Sequence, residues 1–452
     1  MISRIKAQLM GKGVRGRALR GTLSSVLLAS GSHVVRFASN LVLTRLLFPE
    51  AFGLMALVQV IVMGLEMLST FGLRIAVMQN ARGDEPDFLN TAWTLQVIRG
   101  ILLWLLVCSL SPSFANFYDQ PILAQILPVA SFTLVIRGFF PTKILSVQRK
   151  LQLGRYSMLT LVSQVINVVI LSLLAYWLGT VWALVIGGLI SPAIALVLFS
   201  LYLPGIRNRF RLEGAAMRDM LHLGKYLFIS TIATYVITQS DRAVLGLFIP
   251  IDLLGIYGIA FALATLPAML ATTVAKSVVF PLYRMRHPAD DPRNQAKIFR
   301  TRRMVASAAT ALSCGMAYCG PWIMDLLYDD RYSLAGPIAV LLCVANVPLI
   351  VLNGAMNAAL SKGDSLRFML MNVATAICQL GLIYIAVQGF GIAGAALAIG
   401  LAPLLTYPLL VVFLRHYNNW DPVGELGLMG LGFLITGGAV WLHWDRILLL
   451  MT

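Results

Sequence analysis

Apolar runs of about 20 residues recur along this chain from end to end, and each is long enough to cross the ~30 Å of hydrocarbon in a bilayer. In lipid the backbone of such a run must satisfy its own hydrogen bonds, and a helix does so within one segment. The composition agrees, because 59% of the residues are hydrophobic and only 12% are charged, about half the share typical of soluble domains. The sequence therefore predicts an all-α polytopic membrane protein.

We place about thirteen transmembrane helices, within a range of about twelve to fourteen. Their predicted bounds are 22–45, 52–76, 91–112, 122–145, 157–178, 181–203, 225–248, 254–280, 304–324, 334–360, 368–387, 391–414 and 424–443.

The distribution of basic residues predicts the orientation of these spans. With the N-terminus in the cytoplasm, the basic N-terminal segment, the segments 149–155 and 207–225 and the run from Arg284 to Arg303 all lie inside. The opposite loops then carry only Arg331 and Arg446. This asymmetry follows the positive-inside rule and accounts for most of the formal charge of +16, so a nucleic-acid partner is not needed to explain it.

The chain also repeats itself. Setting "NLVLTRLLFPEAFGLMALV" beneath "DRAVLGLFIPIDLLGIYGIA" aligns Pro49 with Pro250 and, after a one-residue slip, Gly53 with Gly255. A second pair of segments also aligns: "GRYSMLTLVSQVINVVI" with "SLRFMLMNVATAICQLGLI". The same offset aligns the two short turns that contain Gly179 and Gly391. These alignments predict two parallel six-helix bundles around a central cationic cavity, as in transporters built from repeats. The predicted divisions are 1–21 (basic cytoplasmic N-terminus), 22–212 (first lobe), 213–420 (second lobe) and 421–452 (an added C-terminal helix).

Charged residues inside the spans are the strongest pointer to function, since each costs about 2.5–3.5 kcal/mol at a helix centre. The basic ones within or at the ends of spans are Arg36, Arg45, Arg74, Arg99, Arg137, Lys143, Arg242 and Lys276. The acids that we place with them are Glu66 and Asp241. Polar side chains that recur every three or four residues share the helix faces of several of these charges, as expected for spans that line a wet cavity. An excess of cations predicts that the cavity accepts an anion.

Two interpretations of Asp241 stay open at this stage. It either neutralises a nearby cation, which offsets part of the burial cost, or takes part in coupling transport to Na⁺ or H⁺, as Glu66 also could. Arg45, Arg242 and Lys143 lie near the ends of spans, where long side chains can also reach towards water.

The order and spacing of several turn motifs resemble the polysaccharide flippases of the multidrug/oligosaccharidyl-lipid/polysaccharide exporter superfamily. The motifs are "RLLFPEAFGLMALV", "QRKLQLGRYS", "DRAVLGLFIPIDLLGIYGIAFAL", "VVFPLYRM" and "LSKGDSLRF". The resemblance implies a bacterial inner-membrane transporter, not an enzyme, that flips polyprenyl-pyrophosphate-linked oligosaccharides (repeat units of O-antigen, capsule or exopolysaccharide) by alternating access. It implies no cofactor, and as partners the lipid-linked substrate, membrane lipid and other polysaccharide assembly proteins.

The resemblance also implies site residues. Related lipid II flippases place arginines on their first, second and eighth spans, where this chain has Arg36, Arg74 and Lys276. We expect pyrophosphate contacts from these three and from the other cavity cations, Arg99, Arg137 and Arg242. We expect sugar contacts from polar residues of the helix faces: Asn40, Asn167, Thr238, Asn353, Asn357 and Gln379.

The alternatives are a multidrug exporter of the same superfamily, a membrane glycosyltransferase or polymerase acting on lipid-linked sugars, and a membrane scaffold. Multidrug exporters favour cationic substrates and acidic cavities, whereas cations predominate in these spans. The enzymes usually present a sizeable outer loop with acidic or His residues, and the largest loop here, "MDLLYDDRYSLAG", is short. A scaffold would have no use for intramembrane charge.

Overall fold

The computed structural model describes residues 31–32, 35–69, 77–78, 80, 82–149, 153–222, 225–285, 288 and 291–450, and this part of the chain contains helices and no strand. In chain order the first helices are α1 (35–46), α2 (Pro49–Leu68), α3 (Pro86–Phe117), α4 (Leu123–Gly138), α5 (Lys143–Arg149), α6 (Leu153–Leu178), α7 (Val181–Tyr202) and α8 (Gly214–His222). They are followed by α9 (Lys225–Phe248), α10 (Ile251–Ala264), α11 (Leu266–Val274), a π-helix (Ala275–Val279), α12 (Phe280–Met285) and α13 (Pro292–Leu327). The last are α14 (Ala335–Val351), α15 (Asn357–Ser361), α16 (Ser365–Leu405), α17 (Tyr407–His416), α18 (Pro422–Leu442) and α19 (Trp444–Leu448).

The helices form two compact units. The first comprises Met1–Leu47 and Ile61–Phe228, and the second comprises Phe48–Val60 and Ile229–Thr452. The start of α2 therefore packs with the second unit, although it precedes most of the first in sequence.

In the first unit, α3 and α4 approach closely through glycine. A Cβ atom on Gly100 would lie 2.6 Å from the Leu134 carbonyl oxygen, and one on Gly138 would lie 3.2 Å from that of Gln96. Small residues let helix backbones pack closely in a membrane, where no hydrophobic effect drives helices together. In the second unit, nearly every residue of α14 is buried, as expected for a helix that is apolar all round. Helices α10, α13, α16 and α18 pack around it.

The predicted fold class is confirmed, but the count of thirteen spans is not. Within the described ranges, seven helices are long and apolar enough to cross a membrane, or nine if each of two bent helix pairs is one span. One of the seven, Ser365–His416, contains two of the predicted spans, which meet near Gly391. Span 225–248 corresponds to α9, which is not among the seven or in either pair. The polar side chains that recur along one face of α9 lower its mean hydropathy.

Three predicted spans are broken, which corrects their description as continuous helices. Span 122–145 bends by 61° between α4 and α5, and span 254–280 bends by 43° between α10 and α11. Span 334–360 stops being helical at the end of α14, and its chain turns through Gly354, whose φ is 76°. Non-helical backbone at membrane depth is tolerated only inside protein or beside a cavity, so these breaks indicate where polar interior space lies.

The repeated motifs have matching backbone conformations. Gly179, between α6 and α7, has φ 60°, and Gly391, inside α16, has φ 55°. Both φ values lie in the left-handed region, which glycine adopts without the penalty that other residues incur. Pro49 begins α2 and Pro250 immediately precedes α10, so these two aligned prolines also occupy equivalent places.

Gly53 and Gly255 pack reciprocally within the second unit. A Cβ on Gly53 would lie 1.8 Å from the Ile251 carbonyl oxygen, and a Cβ on Gly255 would lie 1.9 Å from that of Pro49. The first turns of α2 and α10 therefore approach backbone to backbone, which only glycine permits at these two positions.

Candidate functional site

The first unit contains a polar cavity of about 440 Å³ lined by α2 to α7. It brings together three residues predicted from the sequence, Glu66, Arg99 and Arg137. The Arg137 guanidinium donates to both carboxylate oxygens of Glu66, at 3.1 and 3.3 Å. The remaining polar lining consists of Gln96, Thr142, Gln148, Tyr156, Thr160, Ser163, Gln164 and Ser191.

Some polar atoms near this cavity have no hydrogen-bond partner. Among the described residues, Arg99 donates to the Ser69 carbonyl oxygen alone, at a long 3.4 Å, and its buried Nε has no partner there. Gln164 Oε1 and Asn167 Oδ1, on α6, are also buried without a partner. Because buried polar groups are nearly always satisfied, such atoms indicate a place for a ligand or water. Of these residues, Arg99 and Gln164 line the cavity and Asn167 lies one helical turn from Gln164.

The second unit contains a smaller polar cavity, of about 270 Å³. It also unites three predicted residues, Lys276, Asn353 and Asn357. Asn353 Nδ2 donates to Thr272 Oγ1 at 2.9 Å, which links the broken end of span 334–360 to α11. No described Asp or Glu lines this cavity, so Lys276 gives it a positive charge.

Irregular backbone carries two of the polar side chains of this second cavity. Lys276 lies in the π-helix Ala275–Val279, and Asn353 lies in the turn that follows α14. A π-helical turn is uncommon and often occurs at functional sites. The local conformations therefore agree with a binding role for this cavity.

The other predicted site residues that the structure describes lie outside both cavities. Arg36 is exposed and Asn40 half-buried on α1, and Thr238 is exposed on α9. Gln379 is buried, and its amide donates to Ile237 O at 2.8 Å and to Ser240 Oγ at 3.1 Å, so it links α16 to α9 in this conformation. Arg74 lies outside the described residues.

The basic residues near span ends have specific partners. Lys143 is buried, and its Nζ donates to the carbonyl oxygens of Ser200 and Leu203 at 2.7 and 3.0 Å. It thereby caps the C-terminus of α7, where a cation is favoured, and does not reach into water as the sequence suggested. Arg242 lies over the ring of Phe261, with Cζ 4.7 Å from the centroid, and this contact stabilises the cation at a half-buried position.

Asp241 is buried and binds a hydroxyl group. Its Oδ2 accepts a hydrogen bond from Tyr257 at 2.8 Å, while Oδ1 is buried and has no partner in the described part of the chain. No described basic residue forms an ion pair with it. The interpretation that Asp241 neutralises a cation therefore has no support from these contacts.

We expect Asp241→Asn to keep its normal abundance in the membrane. The amide oxygen can still accept from Tyr257, and the variant no longer buries a carboxylate whose charge has no counter-ion. Membrane abundance by immunoblot tests this, with Asp241→Ala, which removes the acceptor, as the comparison. A marked loss of Asp241→Asn protein would contradict the expectation and restore the neutralising role.

Sequence reasoning missed a third intramembrane acid, Glu425. It is buried in the first turn of α18 and accepts from Arg302, on α13, at 2.7 Å and from the Tyr407 hydroxyl at 2.8 Å. Arg302 belongs to the basic run Arg284–Arg303 that the sequence places in the cytoplasm, but its side chain is only 7% exposed. The partners are 123 residues apart, so no local pattern could have revealed the pair.

A second ion pair reinforces this junction. Arg303 Nε donates to Asp421 Oδ2 at 2.7 Å, next to the start of α18. Burial by itself raises the pKa of Asp421, but the bonds from Arg303 and from the Gly424 N–H outweigh it and hold the pKa below its ordinary value. Helix α18, the predicted C-terminal addition, is thus fastened to α13 by both pairs.

Comparisons with known proteins agree with this architecture. The structure is similar to lipid II flippase MurJ in an inward closed conformation, with a TM-score of 0.68 and 12% identity over 93% of this chain and 100% of that one. It is also similar to an inward-facing multidrug resistance MATE family transporter of the MOP superfamily, with a TM-score of 0.61 and 13% identity over 87% and 99% of the two chains. At these identities the similarity shows a shared fold.

Relatives are also found by sequence. The lipopolysaccharide biosynthesis protein WzxC of Escherichia coli (strain K12) is 22% identical, over 82% of each chain. The teichuronic acid biosynthesis protein TuaB of Bacillus subtilis (strain 168) is 20% identical over 66% of this chain, and the match spans 62% of that protein, less than two thirds of its length. The family model described as "Polysaccharide biosynthesis protein" matches residues 42–337. That match covers well over half of the chain, and this multi-pass membrane protein therefore belongs to the polysaccharide biosynthesis protein family.

Proposed function

We propose that this protein flips oligosaccharides linked to polyprenyl pyrophosphate from the cytoplasmic to the outer leaflet of the bacterial inner membrane by alternating access. The observation that carries the proposal is the pair of polar, cation-bearing cavities inside otherwise apolar helical units. Charge at membrane depth is costly and marks a substrate pathway by default. Membership in the family and the similarity to WzxC and MurJ support this substrate class.

The charge of the cavities favours an anionic lipid-linked sugar over a cationic drug. Of the residues that the structure describes, Arg99 and Arg137 share the first cavity with one acid, Glu66, and Lys276 shares the second with none. Such cations offset part of the cost of desolvating a pyrophosphate. The hydroxyl and amide side chains of the same cavities suit the hydroxyl groups of sugars. Arg36 and Arg74 remain candidates for pyrophosphate contact, and Glu66 and Asp241 for coupling to an ion.

The direct test is deletion of the gene followed by analysis of lipid extracts. We expect the polyprenyl-pyrophosphate-linked oligosaccharide to accumulate with its sugar on the cytoplasmic side, where an impermeant lectin or glycosidase cannot reach it in spheroplasts. The surface polysaccharide should disappear, and expression of the intact chain should restore it. Normal surface polysaccharide without accumulation would exclude the proposed function.

We expect Lys276→Ala to lower export at least tenfold at normal abundance, because the second cavity then loses its cation. Lys276→Arg, which keeps the charge, should retain most of the activity. Lys297→Ala is the matched control, since Lys297 is an exposed lysine of α13 outside both cavities. Surface polysaccharide measured against protein abundance tests this, and full export by Lys276→Ala would remove the residue from the site.

The proposed direction requires the start of α13 to face the cytoplasm. Ala296 is exposed in the first turns of that helix, so Ala296→Cys in a cysteine-free background provides a single accessible thiol. We expect an impermeant maleimide to label it in inverted vesicles and not in intact spheroplasts. Labelling in intact spheroplasts would reverse the assigned orientation.

A further inference from the structure

The segment that joins α7 to α8 is held in a defined conformation at one end of the first unit. This segment follows the C-terminus of α7 and runs beside the N-terminal turns of α3. Both α7 and α3 are candidate membrane spans. Three alternate backbone N–H groups donate to side chains of α3: Arg209 to Asn90 Oδ1 at 2.9 Å, Arg211 to Thr94 Oγ1 at 3.0 Å, and Glu213 to Thr91 Oγ1 at 3.0 Å. The three acceptor residues are buried, so the segment is fastened to the helix by its backbone.

Backbone attachment leaves the basic side chains of this segment available. Arg207 and Arg209 are exposed, and so is Arg218 on α8. No described acidic side chain forms an ion pair with any of the three. Two nearby acids have basic partners: Asp87 binds Arg211 at 2.8 Å, and Glu213 binds Arg82 at 2.9 Å. Asp219, next to Arg218 on α8, accepts a hydrogen bond from the Asn80 amide at 3.1 Å, so three arginines without a described ion-pair partner stand against this one carboxylate. The surface is therefore positive on balance.

Large apolar side chains are exposed on the same surface. Phe210 is 67% exposed, Leu212 is 57% exposed and Met217 is 38% exposed. Phe210 is held in place by Trp93, with ring centroids 4.8 Å apart. Helix α8 packs its opposite face, Ala216 and Met220, against an apolar cluster of the first unit.

This combination matches the interface of a membrane. Arginines placed next to the ends of spans meet the phosphates of lipid head groups, and apolar side chains among them enter the acyl boundary. An acidic protein partner would match the arginines but gives no reason for three exposed apolar side chains at the end of two spans. We propose that the surface formed by Arg207, Arg209, Phe210, Leu212, Met217 and Arg218 is a binding site for anionic phospholipid head groups of the adjacent leaflet. The proposal is independent of the transported substrate.

The test is native mass spectrometry of the purified full-length protein in detergent with added phosphatidylglycerol or phosphatidylcholine. The variant Arg207→Gln/Arg209→Gln/Arg218→Gln should lose phosphatidylglycerol affinity by roughly fivefold for each arginine, on the order of a hundredfold in total. The matched control is Arg293→Gln/Lys297→Gln/Arg300→Gln, which removes the same charge from exposed positions of α13. It should bind as the unchanged protein does. The backbone contacts to α3 do not involve the replaced side chains, so folding should be retained, and thermal melting checks this.

Four outcomes would overturn the proposal. The first is unchanged phosphatidylglycerol binding in the triple variant. The second is an equal loss in the control, which would mean that net charge alone governs lipid retention. The third is displacement of the lipid by a polyglutamate peptide at equal charge concentration, which would identify the surface as a docking site for acidic protein. Leu212→Ser should weaken phosphatidylglycerol binding without changing the charge, and its failure to do so would likewise favour a protein partner.

Discussion

Glu425→Leu is expected to destabilise the second unit by about 3–5 kcal/mol, because it leaves Arg302 buried without its direct ion-pair partner. The two side chains are 7% and 3% exposed and their charged atoms lie 2.7 Å apart. The substitution also removes the acceptor of the Tyr407 hydroxyl, which donates to the same carboxylate. Fluorescence-detected size exclusion after heating should show a much lower melting temperature than that of the unchanged protein.

Burial, not pairing, is the reason for this effect, and two variants test that. Asp325 and Arg446 also lie 2.7 Å apart, but each is 43% exposed, so Asp325→Asn should cost less than about 1 kcal/mol. The double variant Arg302→Met/Glu425→Leu should recover most of the stability, since apolar replacement of a buried pair is often neutral. Equal destabilisation by Asp325→Asn and Glu425→Leu would contradict the explanation.

Gly255→Ala is expected to prevent correct packing of α10 against the start of α2. Its new Cβ would lie 1.9 Å from the Pro49 carbonyl oxygen, and because this obstacle is backbone, no side-chain rotation can relieve it. Overpacking costs about 1–3 kcal/mol where side chains can adjust, and we expect a loss at or above the upper end of that range. Gly53→Ala meets the Ile251 carbonyl at 1.8 Å and should have the same effect.

Gly258→Ala is the matched control for both glycine variants. Gly258 lies one turn further along α10, and a Cβ there meets nothing within 4 Å. Replacement of an unobstructed helical glycine by alanine stabilises by roughly 0.5–1 kcal/mol, so this variant should be at least as stable as the unchanged protein. Membrane abundance and melting temperature of all three variants decide the matter. Comparable stability of Gly255→Ala and Gly258→Ala would show that the close approach is dispensable.

The sequence by itself determined the class of fold, because about 20 apolar residues in a row have few alternatives to a membrane helix. It also located the paired turns at Gly179 and Gly391, since an unusual backbone angle requires an unusual residue. The cations Arg99, Arg137 and Lys276, which line the two cavities, were predicted for a similar reason: charge is conspicuous in apolar surroundings.

Only the tertiary structure decided how those residues are grouped. It placed Glu66 against Arg137, Asn353 near Lys276 and Glu425 against Arg302, and it engaged Gln379 in contacts between helices. The helix breaks beside the second cavity could not be predicted from the sequence either, because the apolar run from 334 to 360 continues through the break after α14. Hydropathy and helical periodicity describe one segment at a time, whereas ion pairs and close backbone approaches depend on which segments become neighbours.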